Sequence, residues 1–262
     1  MASCHRILAA ALGLSAFGRA APPAELVSAL ERLRDQKSYS WEVINADPGP
    51  VAQEFDTKLG RVTSVQQNTS PNLKGQIDRN GDVRLRREWA DGLRLDTILT
   101  KEGASVTLTP EGWMTDREIL TAQADERLRS QTPTPRFLWL RRADRPEFRR
   151  PDEELLPFLK VDGPYEAAGG SYVARLQSTP REDASDPASQ VTVKMNVRNG
   201  AIRDYEVSVE TTRRATRARV AIPVSEQRIV VITYVPVTRI DIPPEARAKL
   251  AAGARGSGVR PP

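Results

Sequence analysis

The chain has 262 residues, with 39 Lys and Arg against 34 Asp and Glu, so its formal net charge is +5. A charged fraction of 28% and a hydrophobic fraction of 39% are typical of a globular protein long enough to bury a sizeable core. The only His is His5 and the only Cys is Cys4, so residues 6–262 cannot form a Ser-His-Asp triad, a Cys-His pair or a His or Cys metal site.

Residues 1–20 have the features of a secretory signal peptide. A short start with one Arg leads into an apolar run at 7–17, and small residues follow at 18–21. The run is shorter than the ~20 residues that span a bilayer. Cys4 precedes the run, where no lipoprotein signal would place a lipidated cysteine. We therefore predict cleavage near Ala20 or Ala21 and a periplasmic or secreted mature protein.

Cleavage also lowers the charge of the mature chain. Arg6 and Arg19 leave with the leader, so Lys and Arg fall to 37 against 34 acids, a net charge of +3. A chain so weakly basic gains little from releasing the counterions of a nucleic acid. We predict no nucleic-acid partner.

The first half of the mature chain has the pattern of a helix followed by antiparallel strands. Pro22-Pro23 opens a helix to about Lys37, with an apolar stripe. Segments rich in β-branched and aromatic residues then alternate with turn signals, which favours successive hairpins. The predicted strands are 39–46, 61–67, 74–78, 82–89, 93–101 and 104–109, and the main turns are at 47–50, 80–81, 91–92 and 102–103.

Residues 78–82 (Asp-Arg-Asn-Gly-Asp) are rich in oxygen ligands and have two interpretations. They are reminiscent of a calcium loop but lack its full ligand spacing and its terminal Glu. We predict a hairpin turn here and no metal site.

A helical interruption follows the strands. Thr115 and Glu118 have the spacing of a capping box, and Met114 and Ile119 that of a hydrophobic staple. The helix is predicted to end near Ser130 and to cover a sheet edge or opening. Its predicted apolar stripe is Ile119, Leu120, Ala124 and Leu128. An apolar segment at 137–140 and a short helix at 152–160 come next.

The C-terminal half returns to strands. Residues 191–197 alternate strictly between apolar and polar, as one buried face requires. A plain turn at Asn199-Gly200 would place Val193 opposite Glu206, so we predict a shift near Arg203 that pairs Val193 with Val207. A second hairpin spans 216–222 and 227–235, and its second strand is predicted to be buried on both sides. A final helix is predicted to end near 252, before a disordered tail at 253–262. Residues 21–252 are predicted to form a single domain.

The sequence contains few residues in patterns typical of catalytic sites. The acid pairs Glu153-Glu154 and Glu182-Asp183 are predicted to be solvated surface groups, and no nucleophile motif or phosphate-binding glycine loop occurs. We predict a protein that is not an enzyme and needs no cofactor. A hydrolase using carboxylates is the alternative, and it would require two acids that converge in a cleft.

Arginines crowd the segment 136–150, and Phe137, Trp139 and Phe148 are interspersed among them. Such a segment can contact anionic lipid headgroups, and the expected membrane contact is peripheral at most. The arginines expected to make it are Arg141, Arg142, Arg149 and Arg150. The alternative is a solvated face balanced by nearby acids.

Apolar residues of the helical interruption form the candidate ligand site. If the helices lie across a curved sheet, these side chains line the place where an apolar ligand fits; if the helices pack fully on the sheet, they are core. The candidates are Trp41, Trp113, Ile119, Phe137, Leu138, Trp139, Leu155, Leu156 and Phe158.

The order of elements resembles a known family. A helix leads into Ser-Tyr-Ser-Trp at 38–41 and a strand meander, Glu-Gly-Trp at 111–113 leads into helices, and further strands end at Tyr-Val-Pro-Val (234–237) and Ile-Asp-Ile-Pro-Pro-Glu-Ala (240–246). This pattern is similar to bacterial periplasmic proteins of the lipoprotein-carrier (LolA-like) superfamily, including their lipid-binding relatives. No individual site residue of that family matches a position here. The chain is longer than the simplest carriers around 130–160.

The resemblance implies a mainly β (α+β) fold. It would be an unclosed antiparallel β-barrel with helices forming a lid over its concave face, around an apolar cavity for acyl chains. The implied function is a non-catalytic carrier or chaperone for a lipid or an acylated protein. The alternative is an envelope interaction or regulatory module that binds a protein or an anionic polymer and has no internal ligand.

Overall fold

The computed structural model describes residues 21–45, 53–56, 61–64, 70–129, 134–143, 149–160, 165–177, 190–214 and 221–256. The predicted signal peptide, the acid pair at 182–183 and the last six residues of the predicted tail lie outside these ranges. Within them, no helix is both long enough and apolar enough to cross a membrane.

Helices occupy both ends and the middle of the described chain. They are α1 (Ala24–Asp35), α2 (Asp116–Arg129), α3 (Pro135–Ala143), α4 (Pro151–Leu155), which continues into a 3-10 turn (Leu156–Lys160), and α5 (Pro244–Gly256). The last helix continues four residues past its predicted end, because the alanines around Gly253 are strong helix formers.

Strands make up most of the remaining regular structure. They are β1 (Tyr39–Asn45), β2 (Gln53–Asp56), β3 (Arg61–Ser64), β4 (Asn72–Ile77), β5 (Val83–Glu88), β6 (Arg94–Leu99), β7 (Ser105–Thr109), β8 (Gly112–Thr115), β9 (Glu166–Ala168), β10 (Ser171–Gln177), β11 (Gln190–Arg198), β12 (Ala201–Arg214) and β13 (Ala221–Thr233). The protein is therefore mainly β, and its strand pairs are antiparallel.

The chain divides into two compact units. Unit 1 comprises Met1–Asp35, Val43–Ser70 and Arg149–Ile232. Unit 2 comprises Gln36–Glu42, Pro71–Phe148 and Thr233–Pro262. The strands stand in the order β13-β12-β11-β10-β9 in unit 1 and β8-β7-β6-β5-β4 in unit 2. Neither series closes on itself, so the sheet is open in each unit.

Tight turns connect the strands of unit 2. Gly81, Gly92 and Gly103 have φ values of 90°, 85° and 86°, which glycine adopts without steric cost. Each glycine lies in a predicted hairpin turn. The short connections give a simple up-and-down meander, as the sequence indicates.

Helices α2, α3 and α5 cover the meander of unit 2 and complete its core. One buried cluster joins the helices α2 and α3 to β6 and to the residue that follows β5; its members are Trp89, Leu95, Ile119, Leu140 and Ala143. A second joins β6 and β7 to α5; its members are Ile98, Val106, Ala246 and Leu250.

The face that α2 buries differs from the predicted one. Ile119 and Gln123 are buried, whereas Leu120 and Leu128 are 52% and 86% exposed. The prediction was correct for Ile119 and wrong for Leu120, Ala124 and Leu128, because Gln123 lies one turn from Ile119 on the same side, while Leu120 projects about 100° away. Gln123 is tolerated in the interior because its Nε2 donates to the Leu140 carbonyl at 2.8 Å.

The predicted register of β11 and β12 in unit 1 is confirmed. Val193 pairs with Val207 and Met195 with Tyr205. The register shifts after Asn196, where Asn196 pairs with Asp204 and Val197 with Ile202, so Arg203 is the extra residue. This bulge keeps the apolar side chains of both strands on one buried face.

Strand β13 corrects a second expectation. Val230 and Ile232 are buried, but Ile229 and Val231 are 36% and 39% exposed. The prediction that this strand is buried on both sides was wrong. An apolar run does not establish two buried faces, since successive side chains of a strand point to opposite sides.

Candidate ligand-binding site

The candidate residues fall in both units. Trp41, Trp113, Ile119, Phe137, Leu138 and Trp139 belong to unit 2, and Leu155, Leu156 and Phe158 belong to unit 1. Their accessibility separates them into core residues and surface residues.

Trp41 and Ile119 are part of the core of unit 2. Trp41 is 3% exposed, and its ring lies over the backbone of Gly75 on β4. A Cβ atom at Gly75 would stand 2.0 Å from Trp41 Cε2, so only glycine leaves room for the indole. The Tyr39 ring packs at a centroid distance of 5.5 Å from that of Trp41.

Leu155 and Phe158 are core residues of unit 1. Leu155 is 0% exposed and Phe158 1% exposed, and α1 packs against α4. The Tyr165 hydroxyl donates a 2.5 Å hydrogen bond to the Phe158 carbonyl, which holds the 3-10 turn. Leu156 is half-buried.

Helix α3 carries the accessible candidates. Leu138 is 50% exposed, and its neighbours Phe137 and Trp139 are half-buried. Consecutive helical side chains point about 100° apart, so these three and Leu140 point to different sides of the helix. Only Leu140 is fully buried, and Trp139 packs partly against the core cluster. An exposed leucine between two half-buried aromatic residues offers a surface for another apolar molecule.

Arginines flank the aromatic ring of α3. The guanidinium carbon of Arg127 lies 5.6 Å from the centroid of Phe137, and that of Arg141 lies at 5.9 Å. These cation–π contacts place two positive charges beside an apolar ring.

Trp113 is half-buried on β8, where it packs against the buried cluster that joins β6 and β7 to α5.

An ion-pair network positions α3. Arg136 donates to Glu111 at 2.5 and 2.8 Å and to Glu126 at 3.3 Å. The hydrogen bond from Arg136 lowers the pKa of Glu111. The hydroxyl of Thr134, with Arg136, lowers the pKa of Glu126, and these carboxylates raise the pKa of Arg136. The network fixes the start of α3 against α2 and the turn before β8.

Two of the four arginines expected to contact lipid headgroups form ion pairs with carboxylates of the protein itself. Arg142 pairs with Asp91. The guanidinium carbons of Arg142 and Arg87 lie 5.5 and 5.7 Å from the centroid of the Trp89 ring. The bond from Arg142 lowers the pKa of Asp91. Arg150 pairs with both Asp152 and Glu153. Arg141 is exposed, and Arg149 is half-buried.

Glu154 is a buried carboxylate that the sequence did not reveal. It is 8% exposed, accepts a 2.6 Å hydrogen bond from the Tyr205 hydroxyl and pairs with Arg228. The prediction of a solvated pair at 153–154 was wrong for Glu154 and correct for the exposed Glu153. Its partners are 51 and 74 residues away along the chain, so no local pattern points to them.

The oxygen-rich loop at 78–82 is a hairpin turn, as predicted. The carboxylate of the fully buried Asp78 accepts hydrogen bonds from the backbone N–H groups of Asn80, Asp82 and Ile240 at 2.8, 3.1 and 3.0 Å. Asp78 therefore ties the hairpin to the segment before α5. In the described ranges, no group of three or more His, Cys, Asp or Glu is arranged to hold a metal ion.

No protein-family model matches the chain, and a search of curated proteins also found no match.

Proposed function

We propose that the protein is a non-catalytic carrier or chaperone for a lipid or an acylated protein, and that the acyl chain contacts α3 of unit 2. The observation that supports this most is the exposed Leu138 between two half-buried aromatic residues in the apolar run at 137–140 of α3. In this proposal, α2 and α3 form the lid over the sheet of unit 2. The ligand would be held there by van der Waals contact, without covalent chemistry.

Retention of lipid by purified protein tests the proposal. We expect native mass spectrometry of protein purified without detergent to detect acyl-bearing ligands. Leu138→Asp should weaken this retention by about tenfold, because contact with one buried leucine accounts for roughly 1.5–3 kcal/mol. The control is Val235→Asp, since Val235 is also an exposed apolar residue, at 66%, and lies outside the helices.

Equal retention by the wild-type protein and Leu138→Asp would contradict this site. The same experiment addresses the second candidate function, an envelope interaction or regulatory module without an internal ligand. The full enclosure of Ile119, Leu155 and Phe158 by the protein itself favours that candidate, because residues that could line a cavity act as core. A wild-type protein that never retains lipid would support it.

A further inference from the structure

The outward side of α2 is apolar and positively charged, and the core does not use it. Leu120 and Leu128 are 52% and 86% exposed, and Ala124 lies exposed between them at the i+4 spacing that aligns side chains on a helix. Arg117 and Arg127 are exposed on the same side. We call this surface, together with the neighbouring Arg141 of α3, the α2 outer face.

The α2 outer face carries one sign of charge. Placed at 100° per residue, Arg127, Leu120, Ala124, Arg117 and Leu128 occupy one arc of the helix, and the acidic residues lie outside that arc. Within the part of the chain that the structure describes, Arg117, Arg127 and Arg141 form no ion pair. Arg127 and Arg141 instead flank the Phe137 ring at 5.6 and 5.9 Å. Their charges remain available to an anionic partner.

The shape of this face favours a fluid partner. With 86% of its surface exposed, Leu128 protrudes and forms no groove that would receive a side chain from a protein. A bilayer can deform around a protruding leucine, while neighbouring arginines extend their charged ends toward the phosphate groups. The exposed leucines supply apolar contact with the acyl boundary, and the neighbouring arginines attract anionic headgroups.

We propose that the α2 outer face docks on the surface of an anionic phospholipid bilayer. This goes beyond the proposed function, because the acyl contact lies on Leu138 of α3 and the docking surface lies on α2 and its flanking arginines. Arg141 takes part as expected from the sequence, whereas Arg117 and Arg127 replace Arg142 and Arg150, which are paired within the protein.

Cosedimentation of the full chain with vesicles tests the docking. We expect binding to vesicles of phosphatidylcholine and phosphatidylglycerol, weak binding to phosphatidylcholine alone, and a loss of binding as salt screens the charges. Arg127→Gln should weaken the binding to anionic vesicles by about fivefold, as expected for one cation near such a surface. Leu128→Asp should weaken it further, since the change removes apolar contact and adds a negative charge.

Matched variants make the result decisive. Arg79→Gln and Val235→Asp alter an exposed arginine and an exposed valine outside the face and should bind as the wild type does. Every variant carries the same residues 1–20, so that segment contributes equally to all. Equal binding to both vesicle types, no binding, or wild-type binding by Leu128→Asp overturns the proposal. An acidic protein partner that binds in the absence of lipid, with no vesicle binding, also overturns it.

The docking and the acyl-binding proposals can fail separately. Leu138→Asp retains Leu120, Leu128 and all three arginines, so we expect it to bind anionic vesicles to at least half the wild-type extent. Loss of lipid retention with vesicle binding intact would support both assignments. Lipid retention without vesicle binding would overturn only the docking.

Discussion

Glu154 illustrates how much one buried side chain contributes to unit 1. Its carboxylate accepts a hydrogen bond from Tyr205, which is 0% exposed, and pairs with Arg228, whose side chain is 25% exposed. A buried charge is tolerated only when it is paired and hydrogen-bonded. The contact joins α4 to β12 and β13, so it links the helical part of unit 1 to its sheet.

We predict that Glu154→Gln lowers the free energy of unfolding by about 2 kcal/mol. Breaking a buried pair costs about 3–5 kcal/mol, and the partial exposure of Arg228 reduces that figure. Urea denaturation measures the change. The control is Glu88→Gln, whose partner Arg94 is 70% exposed, and we expect a loss of about 0.5 kcal/mol or less. Equal losses in the two variants would show that burial of Glu154 has no energetic consequence.

At the scale of an element, α2 is stabilised by a cap at its N-terminus and by an ion pair with α5. The Thr115 backbone N–H donates to Glu118 at 2.8 Å, and the Glu118 N–H donates to the Thr115 hydroxyl at 3.3 Å, so the predicted capping box is present. Lys249 of α5 pairs with the same carboxylate. Burial raises the pKa of Glu118, but the bonds from Lys249 and Thr115 outweigh it and lower the pKa overall.

We predict that Thr115→Ala destabilises the protein by about 1 kcal/mol, because the N–H groups at the start of α2 lose their cap. The measurement is the midpoint of thermal unfolding, followed by tryptophan fluorescence. Thr121→Ala is the matched control: the Thr121 hydroxyl donates to the Arg117 carbonyl within the same helix, and alanine has the higher helix propensity. If the unfolding midpoint of Thr121→Ala falls as far as that of Thr115→Ala, the loss has a cause other than capping.

At the scale of the whole molecule, the Asp91 and Glu111 ion pairs of unit 2 and the Tyr172 hydrogen bond of unit 1 are lost at opposite ends of the pH range. In unit 2, pairing with arginine lowers the pKa of Asp91 and Glu111. Such pairs stabilise the folded state above the ordinary values of 3.8 and 4.5, and the contribution is lost as the pH falls through the folded pKa values. In unit 1, the bond to Glu25 raises the pKa of Tyr172, so its contribution is present below the ordinary value of 10.0 and is lost as the pH rises through the folded value.

We predict that acid loosens unit 2 through the loss of these ion pairs. All four tryptophans of the chain lie in unit 2, so their fluorescence reports on the packing of that unit. We expect a spectral change as the pH falls below the ordinary carboxyl values of 3.8 and 4.5, where the carboxylates of the network protonate. Arg136→Gln should reduce the stability gained between low and neutral pH, because it removes the partner of Glu111 and Glu126. The control Arg79→Gln should retain the wild-type profile, and identical profiles for both variants would contradict the prediction.

In the candidate site, the apolar character of the residues was predictable from the sequence, but their burial was not. The sequence identified the apolar side chains of α3, because four consecutive apolar residues stand out in a polar region. It did not distinguish Leu138 at the surface from Phe158 in the core, since both follow the same local pattern. That difference depends on which neighbours cover each side chain, and those neighbours come from distant parts of the chain.

The sequence by itself determined the local features: the mainly antiparallel strands, the glycine turns of unit 2, the capping box at Thr115 and the shifted register of β11 and β12. Each depends on backbone geometry and on side chains a few residues apart. Only the tertiary structure decided that Glu154 is buried, that Arg142 is engaged, and that Leu120 and Leu128 face outward. These outcomes depend on contacts between residues tens of positions apart, whose burial is fixed only when the elements pack together.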